Sequence, residues 1–354
     1  MQWPRSQTQL GRCPFLGGLG VLVVLAASAM GTDVVVVAIG DAGTGQTRKT
    51  GIIQDYTGRQ LTLRTTSGNE LTIATDKVIS LETERSEPQL AGDRLLAEDK
   101  FREALEAYKR AADLDRREWM RRQILAQMVW CLRGMQDIPR AGDTFLLILQ
   151  SDPHTPHTQY FAAMPLNWLD GQRPAGIAQR SNEWLTAEPP AARLLGASWL
   201  LATEDRVQAV STLQALRHDA DPRIAILAEA QLWRTQTVTA NGDDTARWQQ
   251  LIRRLPVPLR AGPYWVLGRT LARQGQHPQA ALAFLRAPIL DREQRNLAAH
   301  CLLAAGDALV HAGDHSGARR IYDELSGDFA GMQPAELALQ RIQQLDDLRD
   351  HDRE

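Results

Sequence analysis

Few residues in this chain carry the spacing that chemistry needs. Gly43 to Thr50 reads GTGQTRKT, close to the G-x-x-x-x-G-K-[ST] loop that cradles phosphates. Gly43, Lys49 and Thr50 match it, but Arg48 stands where a second glycine lets backbone N–H groups wrap the anion. A strand-like alternation follows, whereas such a loop needs a helix whose N-terminus faces the phosphate. The segment therefore reads as a polar linker. His154 and His157 lie in the proline-broken DPHTPHTQ with no third ligand nearby, so a turn is expected rather than a metal site. His311 and His315 straddle Gly313-Asp314, which breaks the helical register that would pair them. The sequence contains no H-E-x-x-H, G-x-S-x-G or C-x-x-C. We expect no catalysis, no cofactor and no metal. Arg269 and Arg273 are four apart and share a helix face beside Trp265. That trio is suited to gripping a carboxylate or an acidic peptide, unless the tryptophan packs inward and the arginines form a solvated face.

The elements that position these residues follow from composition and periodicity. The chain has 354 residues, 44% hydrophobic and 23% charged, with 40 basic and 42 acidic side chains. This balance offers no global basic excess to hold nucleic acid, and none is expected as partner. Three cysteines exclude a disulfide scaffold. Residues 1–29 carry Arg5 and Arg12, no acid, an apolar run from Phe15, and Ala27-Ser28-Ala29 at the exit. Charged start, short apolar core and small-residue exit predict a secretory signal. The alternative is an uncleaved anchor through residues 15–32, because VVVVAI restarts the hydrophobicity at Val34. Either way the expectation is export, to the periplasm or cell envelope. Cleavage would leave Cys131 and Cys301, both on predicted helices and read as buried free thiols.

Residues 30–49 read as a linker or first strand. Residues 50–86 change texture: Leu61, Leu63 and Thr65 alternate with polar neighbours, as do Leu71, Ile73 and Thr75. This period of two predicts three or four short strands, with turns at Tyr56-Thr57-Gly58 and Ser67-Gly68-Asn69. The pattern of glycines and leucines resembles small SH3-like and Sm-like barrels. RNA binding of the Sm kind is not expected, since Tyr56 is the module's sole aromatic.

Helical periodicity runs over residues 87–348, before a charged tail at 349–354. The first unit carries Gly92, Ala104 and Tyr108; a later one Gly268, Ala280 and Phe284; the next Gly306, Ala318 and Tyr322. Ala141 with Phe145 marks another. Alanine markers at 104, 141, 178, 209, 246, 280 and 318 recur at intervals of 31 to 38. The arrangement resembles tetratricopeptide repeats, whose period is about 34 residues. The resemblance implies an α-solenoid of about seven antiparallel hairpins, mainly α, behind the small all-β module. The glycines would let helix A meet helix B closely, and the aromatics would fill the space against the next unit.

In that family the inner faces of the A helices line a groove. Carried onto this chain, the resemblance places Trp130 and Arg133, Tyr160 and Asn167, Trp265, Arg269 and Arg273, and Asp307 and His311 on that face. The family's Lys/Asn carboxylate clamp is replaced here by Gln89 and Asp93. The expectation is a non-catalytic scaffold for a protein or peptide partner. The rivals are a glycan-binding protein using exposed tryptophans, and an enzyme with an unfamiliar site.

Overall fold

The computed structural model describes residues 32–39, 45–155, 164–292 and 294–351. The expected signal segment, Tyr160 and the last three residues of the tail lie outside them. The chain divides into two compact units, Met1–Ala163 and Met164–Glu354.

The first unit opens on five antiparallel strands: β1 Asp33–Ile39, β2 Gly45–Tyr56, β3 Gln60–Thr65, β4 Glu70–Ala74 and β5 Val78–Glu82. They form one sheet in the order β4-β3-β2-β1-β5. Val35, Val37, Ile53, Tyr56, Leu61, Leu63 and Ile73 are buried, the inward half of each alternation. The linker reading needs correction. β1 and the first half of β2 pair from Asp33↔Gly51 to Ile39↔Gly45, so Gly45–Lys49 is strand. Its side chains are mostly exposed, which removes the apolar alternation while leaving the backbone ladder intact. At Gly51 any Cβ would collide with the Arg64 carbonyl across the β2–β3 pair, so close approach demands glycine there. Asp33 is buried at the start of β1, where its carboxylate accepts from the Ile53 N–H at 2.7 Å and from the Thr83 hydroxyl.

A sheet this small buries little core by itself. Four helices follow in the same unit, α1 Glu87–Ala97, α2 Phe101–Leu114, α3 Glu118–Gly134 and α4 Ile138–Ser151, and the sheet is tied to α3 and to the end of α4. Arg122 of α3, nearly buried, donates to Asp55 Oδ1 and the Tyr56 carbonyl, both at 2.9 Å, and to Ser151 Oγ at 3.1 Å. The Gly58 N–H donates to Asp152 Oδ2 at 2.9 Å, just past α4.

The second unit is helical in its described residues: α5 Ile177–Leu185, α6 Pro190–Leu200, α7 Arg206–Leu216, α8 Pro222–Gln236, α9 Gly242–Arg254, α10 Ala261–Arg273, α11 His277–Leu290, α12 Arg295–His311, α13 His315–Asp328 and α14 Gln333–His351. Consecutive helices pack on one another from α5 through α8 and again from α9 through α14. The last one, α14, lays Ala335, Ala338 and Leu345 on a core holding Leu302, Tyr322 and Phe329.

One register recurs in five pairs of consecutive helices. Buried trios stand at 92/104/108 and 129/141/145 in the first unit, and at 197/209/213, 268/280/284 and 306/318/322 in the second. A Cβ on Gly92 would lie 2.7 Å from Tyr108 Cε1, and one on Gly268 would lie 2.6 Å from Phe284 Cδ1. Gly306 stands in the same way against Tyr322. With Ala197 as first member the third is the smaller Leu213, whereas Val129 stands with Phe145. Two of the expected alanine markers fail: Ala178 and Ala246 are exposed. Gly196 packs there on the backbone around Ser181. Between α8 and α9 the space is filled by Trp233 stacked on Trp248, centroids 4.9 Å apart.

Candidate binding faces

The site residues expected from sequence fall on helices α3, α10 and α12 and on the loop before α5. In the first unit, α3 presents Trp130 and Arg133, both half-buried, with the guanidinium 4.4 Å over the indole centroid. The stack presents a flat cationic surface at the rim of a helix.

In the second unit the loop at Asn167–Gly171 organises the A helices. Gly171 adopts φ +84, a left-handed turn that glycine enters without strain. Asn167 is 3% exposed and its groups are used internally. Its side-chain oxygen accepts from the Leu169 N–H, and its carbonyl accepts from Gln231 Nε2 at 3.1 Å and Arg234 Nη1 at 2.8 Å. It frames the unit and lies off any open face, contrary to the groove expectation. Arg234 of α8 is almost wholly buried and also donates to the Ser198 carbonyl at 2.9 Å and Gln231 Oε1 at 2.7 Å. Its Nη2 reaches Asp170 Oδ1 at 3.2 Å. Burial pushes the Arg234 guanidinium's pKa down, and the Asp170 carboxylate opposes that.

Asp170 also takes Arg269 of α10 on its second oxygen. Burial would raise the Asp170 carboxyl, but hydrogen bonding and charge from Arg269, then from Arg234, hold it below its usual range. The proposed acid-gripping pair is therefore divided. Arg269 is engaged by Asp170, and Arg273 donates to Thr237 Oγ1 at 3.0 Å. Trp265 is buried, tilted on Phe284 at 5.4 Å and edge-on to His300 at 6.5 Å. It packs; the Arg269 guanidinium lies 5.8 Å from its ring.

Asp307 is likewise occupied. It accepts from the Tyr322 hydroxyl at 2.7 Å and from Arg341 Nε at 3.1 Å. Asp93 repeats this in α1, accepting from Tyr108 at 2.7 Å and from Arg85 at 2.7 Å. Burial first, then the neighbouring carboxylate, pushes both tyrosine hydroxyls far above their ordinary pKa. His311 stacks on His277 at 4.9 Å, and its Nδ1 meets the Asp307 carbonyl at 2.7 Å.

Sequence reasoning missed Asp170, Arg234 and the Asp–Tyr pairs. A signal for the last exists: aspartate fifteen residues before tyrosine, on the residue after the packing glycine, at both 93/108 and 307/322. Of the described tryptophans only Trp130 is not buried, so they build no exposed aromatic wall. Cys131 and Cys301 are buried free thiols. Burial pushes Cys131 up to about 12 and Cys301 well above its ordinary value, so neither supplies a thiolate at neutral pH. Among the described residues no group of three His, Cys, Asp or Glu side chains is placed to hold a metal ion. No helix among them is long and apolar enough to cross a membrane.

No family model matches the chain, and no curated protein does. Among solved structures it is similar to the TPR2AB domain of yeast Sti1 in complex with pHSP90, at 13% identity, over 73% of this chain and 95% of that one, with a TM-score of 0.22.

Proposed function

We propose that this chain is an exported, non-catalytic scaffold of the cell envelope that binds a protein or peptide partner on exposed faces of its helical hairpins. The observation that supports the reading is the hairpin array with one internal register, combined with the arginine–tryptophan stack of Arg133 on Trp130. Hairpin arrays build extended surfaces without a reaction centre. Arginine and tryptophan are the residue types that dominate interface energetics. Arg273, bound to one neutral hydroxyl, is a second contact of the same type. Export rests on the signal-like segment at 1–29, with retention through residues 15–32 as the alternative.

The test is affinity capture from the chain's own envelope fraction, run beside Trp130→Ala/Arg133→Glu and Arg273→Glu variants. A stoichiometric partner that is lost in either variant supports the scaffold and locates its face. A partner retained equally by both removes these faces from the reading. Sequencing the N-terminus of the recovered protein checks export: a chain beginning at Met30 is the expected product.

A further inference from the structure

The second unit contains a cavity of about 340 Å3 bounded by α9, α10 and α11 and lined by Gln249, Arg253, Arg260, Tyr264, Arg286 and Leu290. That volume lies within the ~300–1,000 Å3 of small-ligand sites. Half of its lining residues are arginines and none is acidic. Elsewhere in the unit arginines meet carboxylates: Arg217 meets Glu229, Arg223 meets Asp221, Arg269 meets Asp170 and Arg292 meets Asp328. Among the described residues no carboxylate pairs with Arg253, Arg260 or Arg286.

Two of the three are held in place without being neutralised. Arg260 donates its Nε to the Leu255 carbonyl at 2.7 Å and its Nη2 to the Arg253 carbonyl at 2.9 Å. Arg286 lies 5.1 Å over the ring of Tyr264, which is itself buried. Backbone carbonyls and an aromatic face orient a guanidinium but leave its full charge. Arg253 joins them from the last turn of α9 and is exposed. Like charges gathered around one cavity repel, and among the described residues no carboxylate offsets them. A site of this kind is completed by an anion from outside, and its donors are oriented before that anion arrives.

We propose that this cavity binds a phosphoryl group. A phosphate monoester carries nearly two negative charges at neutral pH and three terminal oxygens, each able to accept from a planar guanidinium fork. A single carboxylate supplies half that charge and one oxygen fewer. Gln249 adds an amide. Leu290, with the exposed Leu282 and Ile289 on the Arg286 side of α11, offers an apolar border for an organic substituent. None of these residues belongs to the faces proposed above for a protein partner, so the two readings stand or fall separately. A soluble phosphate monoester and a phosphatidic acid headgroup both present the required group.

The full chain is titrated calorimetrically with inorganic phosphate, glycerol 3-phosphate and acetate at constant ionic strength. In parallel it is sedimented with phosphatidylcholine vesicles with and without phosphatidic acid. Arg253→Gln and Arg286→Gln, both at exposed positions, are compared after circular dichroism has verified their helicity. Expected are binding of phosphate and its monoester, no binding of acetate at the same concentrations, and at least tenfold weaker binding in each variant. Sedimentation confined to phosphatidic acid vesicles, and lost in both variants, supports the proposal and identifies the lipid as source. Phosphate binding unchanged in both variants, acetate binding as tight as phosphate, or no phosphoryl ligand bound in either arm overturns it.

Discussion

At the scale of single residues, Asp170 does the most with one side chain. It neutralises Arg234, whose side chain is 4% exposed, and Arg269, 24% exposed. Asp170→Asn would leave the Arg234 guanidinium nearly buried with only neutral acceptors. A buried pair broken on one side costs about 3–5 kcal/mol. Asp170 is half-exposed, so solvent screening reduces the expected loss to about 1–2 kcal/mol, read from urea unfolding at pH 7. The sign with pH follows from the lowered carboxyl pKa. Its stabilisation is complete above the unfolded value of about 3.9 and is lost as pH falls through the folded value. Wild type and Asp170→Asn should therefore draw together in stability as pH falls below about 3.9; a gap that stays constant with pH would contradict the ion-pair account. Tyr322→Phe removes one charge-assisted hydrogen bond to Asp307 while Arg341 remains. About 1–2 kcal/mol should be lost with no change in the denaturant slope.

The hairpin is the unit at the scale of elements. In an exposed helix interior Gly→Ala stabilises by about 1 kcal/mol through backbone entropy. At Gly268 the new methyl would stand 2.6 Å from the Phe284 ring, so overpacking of about 1–3 kcal/mol should win. The Ala197/Leu213 trio suggests the remedy. Gly268→Ala with Phe284→Leu should recover part of the loss, and a single Gly268→Ala variant with a raised melting temperature would refute the close contact. Three of the five trios were legible in the sequence because they rest on short spacings fixed by two helices and a tight turn. The α8–α9 hairpin was not legible: Trp233 and Trp248 replace the glycine–aromatic pairing with two stacked indoles, and the alanine marker slides onto an exposed face. The start of β2 was missed for a different reason. Its side chains carry no alternation, and the backbone ladder to β1 leaves no trace in residue type.

At the scale of the whole molecule, the two cysteines report on separate units. Cys131 belongs to the first and Cys301 to the second, and both are fully buried. In a Cys13→Ser background neither should react with a thiol reagent under native conditions, and each should become reactive only as its own unit opens. Mass spectrometric readout of labelling against urea gives two protection curves; rapid labelling of either site in native buffer would contradict its burial.

The sequence by itself determined the helical hairpins, their small-residue contacts and the strand character of residues 60–74. Those features depend on neighbours within one or two elements, where periodicity and spacing are enough. Tertiary structure alone decided which arginines are answered. Asp170 reaches Arg269 across 99 positions, while Arg253, Arg260 and Arg286 converge on one cavity without an acid. Charge pairing at such separations is set by where the helices stack, and side chains of identical type become a structural tie in one place and an open anion site in another.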